Sequence, residues 1–363
     1  MVILALNAGS SSLKFALFDQ ENHLLRGKID ANKAKLTIDG NDEAWPHGLE
    51  AEPLLARIAE RHPTPVKAAG HRVVHGGDRD GPVKINGQVM LELDALTELA
   101  PLHQPHSLAL IRALTQIRPE LPQYACFDTS FHRTMDILAT TLPLPRALRE
   151  AGARRYGFHG LSYHYIASLL PPGSGRVIVA HLGSGASLCA LQDGRSVDTS
   201  MGMTALDGIM MATRPGRLDP GALLWMLQAR GMDAALIEDT LYHHAGLLGV
   251  SGESADMRDL TTSDTPDARL AVQMFVRSIV RETGALASVL GGLDGFVFTG
   301  GIGENQPLLR AQVSSGLTWL GLSLDPDRNA AYRPGMGPGE IGPGLWVIPT
   351  DEEAQIARLV RRS

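Results

Sequence analysis

The sequence has little of what would mark a secreted, membrane-bound or nucleic-acid-binding chain. Its 363 residues include two cysteines, Cys126 and Cys189. Two thiols build neither a disulfide framework nor a CxxC metal site, so a reducing, cytoplasmic setting is expected. Aromatic residues make up 5%, too few for a base-stacking surface. Lys plus Arg number 33 against 39 Asp plus Glu, a formal charge of −6. With no long basic run, a nucleic-acid partner is not expected. No stretch reaches the roughly 18 apolar residues that a membrane helix requires. The opening run Met1–Leu6 has no basic flank and stops at Asn7, so it reads as a strand rather than a secretory signal, with the mature chain expected to begin near Met1. The phosphate-loop pattern G-x-x-x-x-G-K-[ST] is absent throughout.

What is plentiful is glycine, at 39 residues, in a chain that is 44% hydrophobic and 20% charged. Those proportions describe an ordered globular protein, and its length suggests two or three domains at about 150 residues each. Residues 2–6 read as a buried strand, Asn7–Ser12 as a small-residue turn, and 13–18 and 23–29 as further strands. A helical pattern covers 51–61. A strand over 66–74 ends at Gly76-Gly77, helices are expected at 92–100 and 105–118, and a short strand at 124–127 delivers Asp128 to its end. The second half carries strands at 176–181, 186–191, 196–199 and 295–299. Asp219-Pro220 opens a helix to about Arg230, and apolar periodicity predicts a long helix over 267–290. The loop Gly300-Gly301-Ile302-Gly303 is expected to precede a helix starting near Glu304, and 333–344 reads as loop. Thr350-Asp351-Glu352-Glu353 has capping-box spacing before a last helix to about Arg362.

An internal repeat is visible. Asn7-Ala8-Gly9-Ser10 aligns with His181-Leu182-Gly183-Ser184 at an offset of 174, and both sit between two apolar strands. The repeat predicts two similar α/β domains with mixed sheets and a cleft between them.

Several segments have the composition of an anion site. Lys14 follows the first turn, whose small residues let backbone N–H groups approach a phosphate; a plain hairpin turn is the alternative. His71 and His75 are spaced i, i+4, which on a helix would suit a metal, but the β-branched centre and trailing glycines make this a strand that splits the pair. Arg72, on a strand otherwise made of core residues, needs an anion or an acidic partner. Asp128 stands at a strand end, where α/β folds bind ligands, although a capping role is equally open. His159 is pinned between glycines in Tyr156-Gly157-Phe158-His159-Gly160. Arg214 and Arg217 precede a capped helix, whose N-terminus favours an anion. Gly183-Ser184-Gly185 is a glycine-rich turn between two strands, and Phe298–Asn305 has the strand, glycine loop, helix-start arrangement of nucleotide loops. Together these features point to phosphoryl transfer.

The segments LNAGSSSLKF, HRVVHGG, FDTSFH, YGFHGLSY, HLGSGAS, DTSMGMT, FTGGIGEN and TDEEAQIAR, in that order, resemble the acetate kinase family of the acetate and sugar kinase, Hsp70 and actin superfamily. The resemblance runs from residue 2 to the C-terminus. It implies two duplicated actin-like, ribonuclease H-like domains: 1–135, a nucleotide-binding domain at 136–350, and a terminal helix at 351–363 returning to the first. It implies a cytoplasmic homodimer acting on acetate and ATP, with Mg2+ (or Mn2+ in its place). Carried over by position, Arg72, Asp128, His159, His181 and Arg214 match catalytic positions, and Asn7 and Glu352 match the family's metal-linked ones. Asp256 and Arg258 match the adenosine-binding segment and Gly301 and Asn305 the nucleotide loop, beside Lys14, Gly183, Gly185 and Gly303. Val74, Leu102, Phe158 and Ala205 match the pocket for the acyl methyl.

The sequence also departs from the family pattern: Ser184 stands where Asn is usual, Pro215 and Arg217 interrupt an Arg-Ser-Gly-Asp segment, Met203 replaces Phe, Ala205 replaces Pro and Gln104 replaces Asn. The implied reaction is acetate plus ATP to acetyl phosphate plus ADP. A kinase for propionate or another short fatty acid is the nearest alternative. More distant ones are a sugar kinase, with Asp128 as base, and an ATP-driven interaction protein of the actin or Hsp70 type, for which no spare domain is present.

Overall fold

The computed structural model describes residues 1–9 and 12–363; the Ser10-Ser11 pair of the expected first turn lies outside the described residues. The chain divides into two compact units. The first comprises Met1–Arg133, Phe158–Tyr165 and Asp351–Ser363, and the second comprises Thr134–Gly157 and Ile166–Thr350. The division departs from the expected 136–350 span at Phe158–Tyr165, which packs with the first unit.

The first unit is built on an eight-stranded mixed sheet. Its strands are β1 (Val2–Ala8), β2 (Ser12–Asp19), β3 (Asn22–Asp30), β4 (Lys35–Ile38), β5 (Asn41–Ala44), β6 (Ala68–Val73), β7 (Val83–Lys84) and β8 (Gln123–Phe127), in the order β5-β4-β3-β2-β1-β6-β8-β7. β1 pairs antiparallel with β2 and parallel with β6, which pairs parallel with β8. The hydrophobic run of β1 is continuous rather than alternating because both faces are covered. Leu4, Leu6, Phe15 and Ile58 pack on one face, and Ile3, Ala5, Leu161, Ile356 and Val360 on the other. The C-terminal helix Glu352–Arg362 supplies part of that second layer.

The second unit holds a six-stranded mixed sheet of β9 (Arg176–Leu182), β10 (Ala186–Gln192), β11 (Arg195–Thr199), β12 (Gly295–Thr299), β13 (Gly339–Gly342) and β14 (Leu345–Val347), ordered β11-β10-β9-β12-β14-β13. β9 is antiparallel to β10 and parallel to β12, and β12 is parallel to β14. The run β3-β2-β1-β6-β8 therefore has the same directions and order as β11-β10-β9-β12-β14. The helix Pro266–Leu290 packs through Phe275, Ile279 and Leu286, which are buried.

Three expectations are corrected. The helix placed at 92–100 runs Gly87–Ala95, because Asn86 supplies the N-cap by accepting from the Val89 amide. The glycines of 300–303 are not a loop before a helix but its first turn, Gly300–Asn305. The Gly/Pro-rich 333–344 contains β13.

Candidate active site

In the first unit, three parallel strands end side by side, and each delivers one polar residue there: Asn7 near the end of β1, Arg72 near the end of β6, and Asp128 directly after β8. Ends of parallel strands are where such sheets bind ligands, because the chain turns away and leaves a crevice. Arg72 donates from Nε and Nη2 to Asp128 Oδ2 at 2.9 and 2.7 Å, and from Nη1 to Asn7 Oδ1 at 3.4 Å. Asn7 Nδ2 in turn donates to Glu352 Oε2 at 2.7 Å and to Glu353 Oε1 at 2.9 Å. The structure thus joins Asn7, Arg72, Asp128 and Glu352 in one hydrogen-bonded chain, with Glu353 added.

The electrostatics follow from burial. Asp128 is 1% exposed. Burial pushes its carboxyl above the ordinary range and Glu352 adds to the rise, while the Arg72 guanidinium opposes it. Burial works against the Arg72 charge, but the carboxylates of Asp128, Glu352 and Glu353 outweigh it and hold the guanidinium firmly protonated. Burial also raises Glu353, against the pull of Lys14. Lys14 is exposed and lies opposite Asn7 in the β1–β2 ladder.

His159 takes φ +58°, a left-handed conformation uncommon outside glycine, though histidine adopts it more readily than most side chains. Strain of this kind collects at functional sites. Behind it, a Cβ on Gly160 would stand 1.9 Å from the Asp128 carbonyl oxygen, so only glycine lets the helix Gly160–Leu169 start this close to β8. Val74 and Phe158 are buried and Leu102 half-buried. Phe158 meets the His75 ring edge-on at 5.9 Å. The Gln104 side chain accepts from His75 N at 3.1 Å and donates to His75 O at 3.1 Å, so the residue next to Val74 is fixed by Gln104 and meets Phe158. The His71–His75 spacing makes no metal pair. His71 is buried on β6 and bonds Gln123 at 2.8 Å, and burial lowers its pKa to about 4.

In the second unit, His181 stands near the end of β9 and pairs across the ladder with Thr299, the last residue of β12. Gly300 follows with φ +78°, and Gly301 faces open space, so the backbone of this first helical turn is bare to a ligand. Asn305 closes the turn by donating to Gly301 O at 2.8 Å, and Gly303 is buried within it. Gly183 N donates to Gly185 O at 3.2 Å, a tight turn beside His181. Arg214 is 9% exposed and donates from Nη1 to the Ala205 carbonyl at 2.8 Å, whereas Arg217 is exposed. Asp256 caps the helix Met257–Thr262, accepting from Arg258 N at 2.9 Å, and also holds the Arg258 guanidinium, whose side chain is 78% exposed.

Among the described residues, no three His, Cys, Asp or Glu side chains stand close enough together to cage a metal. A cage is not what Mg2+ needs, since it is usually held by one or two carboxylates together with substrate phosphates and water. Glu352, Asn7 and the Asp128 Oδ1 atom, buried without a hydrogen-bond partner, form a hard-oxygen set of that kind.

Two residues of this site were missed in the sequence. Glu353 is one, and the signal was present. Residues 353, 356, 357 and 360 share the buried face of the last helix, so the capping-box sequence placed its second acid inward. The other is His132, which donates from Nε2 to the Phe158 carbonyl at 2.9 Å; no spacing in the sequence marks that contact.

Paired sheets of ribonuclease H-like order, with charged residues at one set of strand ends and a glycine-rich helix start at the other, define a phosphotransferase of the kinase class. The chain belongs to the acetokinase family, whose model matches residues 2–358. It is 48% identical to an acetate kinase of Rhodopseudomonas palustris, over 99% of this chain and 98% of that one, and 45% identical to one of Rhizobium meliloti, over 98% and 96%. Among solved structures it is similar to an acetate kinase of Porphyromonas gingivalis (TM-score 0.86, 33% identity, 98% of each chain). It is also similar to a propionate kinase of Francisella tularensis (TM-score 0.90, 36% identity, 98% of each chain). No helix among the described residues is long and apolar enough to cross a membrane.

Proposed function

We propose that this chain is an acetate kinase, transferring the γ-phosphoryl group of ATP reversibly to acetate to give acetyl phosphate and ADP. The observation that carries the reading is the Asn7–Arg72–Asp128–Glu352 chain of contacts, in a protein matched along its length by acetate kinases. A carboxylic acid of ordinary pKa, about 4–5, is already ionised at neutral pH and needs no base to attack phosphorus. The work left to the protein is positioning and neutralisation of charge. Arg72 would hold the acetate carboxylate, with Asp128 fixing its guanidinium rather than removing a proton. Arg214 and the imidazoles of His159 and His181 would hydrogen-bond the oxygens of the transferring phosphoryl group.

Glu352 and Asn7, with Asp128 through water, would hold Mg2+, for which Mn2+ would substitute. When bound, the ion neutralises charge on the phosphate oxygens. The domain at 136–350 would be the nucleotide-binding one: Gly183, Gly185, Gly301, Gly303 and Asn305 would receive the nucleotide backbone-first, with Asp256 and Arg258 at the adenosine and Lys14 at a phosphate. Val74, Leu102, Phe158 and Ala205 would surround the methyl. We place the enzyme in the cytoplasm, consistent with buried, unreactive Cys126 and Cys189 thiols, whose pKa values burial pushes well above the ordinary thiol range. A homodimer is supported by the helix Pro220–Ala229, which leaves Leu224, Trp225 and Leu227 exposed by 53, 55 and 44%.

The test is acid-dependent ADP release with acetate, propionate and butyrate. Bulky Val74, Leu102 and Phe158 favour the smallest acid, and Ala205 in place of proline relaxes the limit. Acetate is expected to lead, with propionate within about tenfold in kcat/KM and butyrate much worse. Absence of acetate-dependent turnover would overturn the assignment, and a preference for propionate would move it to the neighbouring acid.

A further inference from the structure

His132 is fully buried, and nothing in the reaction above uses it. It sits in the short turn Ser130–Thr134, three residues past Thr129. Its Nε2 lies 2.9 Å from the carbonyl oxygen of Phe158. A carbonyl only accepts, so the imidazole carries its proton on Nε2 and donates. The ring is packed edge-on by Phe131 and Tyr163 at 5.8 Å each, which leaves it little freedom to turn away.

The carbonyl it grips belongs to the peptide joining Phe158 to His159. His159 is held at φ +58° on the far side of that peptide, and a conformation of this kind persists only where its surroundings over-determine it. Three contacts do so: the His132 bond to Phe158 O, the Tyr163 amide bond to His159 O at 3.0 Å, and the close seat of Gly160 against the Asp128 carbonyl. Only the first is made by a side chain, so only it can be removed without altering the backbone itself.

We propose that His132 is a positioning residue for acid selection: by fixing the Phe158–His159 peptide it sets the Phe158 ring and the His159 imidazole at once. This deepens the reading of the chain as an acetate kinase and rests on it. Displacing an aligned group by about 1 Å is enough to cost on the order of 100-fold in rate, and a loosened Phe158 relaxes discrimination by chain length.

The experiment compares His132→Ala, His132→Gln and His132→Asn for kcat and KM with acetate, propionate and ATP, and for Tm. Gln carries an amide nitrogen at about the reach of Nε2; Asn is too short. In His132→Ala and His132→Asn, KM for acetate should rise about tenfold or more, and the acetate-to-propionate ratio of kcat/KM should fall by roughly 3–10-fold. KM for ATP should stay within about twofold, and His132→Gln should restore both acid readouts. A ratio and acetate KM unchanged in His132→Ala or His132→Asn, with only Tm lowered, would overturn the proposal. If His132→Ala fails to fold, the Gln and Asn pair decides: equal acid selectivity in the two overturns it. Failure of wild-type protein to turn over acetate would instead overturn the acetate kinase reading, a result visible before any variant is made.

Discussion

Arg72 is a charge that a core strand holds only because Asp128 answers it, 56 positions along the chain. The need for an acidic partner was legible in the sequence, since an unpaired guanidinium on a buried strand is too costly. The identity of the partner was not, because it depends on β6 and β8 becoming neighbours. The two arginines assigned to the reaction should behave differently on mutation. Asp128→Asn removes the carboxylate bonded directly to the buried Arg72 guanidinium and leaves Glu352 and Glu353 as its remaining counter-charges; breaking a buried pair costs up to about 3–5 kcal/mol. Tm in calorimetry should fall on the order of 10 °C, together with weakened acetate binding; an unchanged Tm would show that the pair is not what holds Arg72. Arg214 donates to the Ala205 carbonyl, and losing that bond, worth about 1 kcal/mol, should move Tm in Arg214→Ala by a few degrees. Turnover should nevertheless drop by roughly 10²–10⁵, as for other arginines on a transferring phosphoryl group. Lys should rescue poorly, lacking the planar fork, and turnover near wild type in Arg214→Ala would remove it from the reaction.

At the scale of elements, the last helix, Glu352–Arg362, is the clearest case of sequence speaking directly. Its start and its end were readable, but the cap is Asp351, which accepts from the Ala354 amide at 2.8 Å, and not the Thr350 of the capping-box spacing. What the sequence did not show is that it lies against β6, where a Cβ at Gly70 would stand 2.4 Å from Ile356 Cγ2 and 2.7 Å from Val360 Cγ2. Gly70→Ala should therefore overpack this contact by about 1–3 kcal/mol and lift the helix that carries Glu352. The Mg2+ concentration for half-maximal activity should rise, and adding Ile356→Ala, which removes the obstructing methyl, should bring it part of the way back. No change in Mg2+ dependence would separate the helix from the metal. In the second unit, Arg176 at the start of β9 is joined to Asp294, just before β12, at 2.7 Å. The guanidinium and the Arg176 amide lower the Asp294 carboxyl to about 2. A depressed folded pKa means that the stabilisation is fully present above the unfolded value near 4 and is lost as pH falls toward 2. The pair is partly exposed, so it is worth only about 0.2–1 kcal/mol. Asp294→Asn should lower Tm by a few degrees at most at pH 7, and the gap to wild type should close below about pH 4. A gap that widens on acidification would contradict the pair.

For the molecule as a whole, the sequence offset of 174 lands β1 on β9 residue for residue, Val2 on Arg176 and Ala8 on Leu182. It places Asn7 and His181 at the same position of the two halves, each near the end of the first strand, so one ancestral strand end serves twice with different chemistry. Four aligned positions, two of them identical, were enough to find this, because a strand–turn–strand entry is set by local pattern. The short strands β7, β13 and β14 escaped notice because two to four residues carry no period, and Gly/Pro content argued against them. Local pattern likewise says nothing about which surface assembles; the homodimer was implied only by the family resemblance. The helix Pro220–Ala229 reads PGALLWMLQA and buries none of its residues. An apolar helix that leaves Leu224, Trp225 and Leu227 exposed is costly in water, and the largest exposed patches on soluble proteins tend to be contact sites. A second copy of this chain covering Leu224, Trp225 and Leu227 would remove that cost. In sedimentation equilibrium the protein should weigh twice 38.9 kDa, and Leu224→Asp with Trp225→Asp should return it to the single-chain mass, because burying two uncompensated carboxylates costs several kcal/mol. Both substitutions fall at side chains that are exposed in the single chain, so the monomeric variant should fold. A wild-type protein that stays monomeric at tens of micromolar, roughly the range where a standard interface is saturated, would leave that helix without a partner of its own kind; a dimer that survives both substitutions would place the interface on another face.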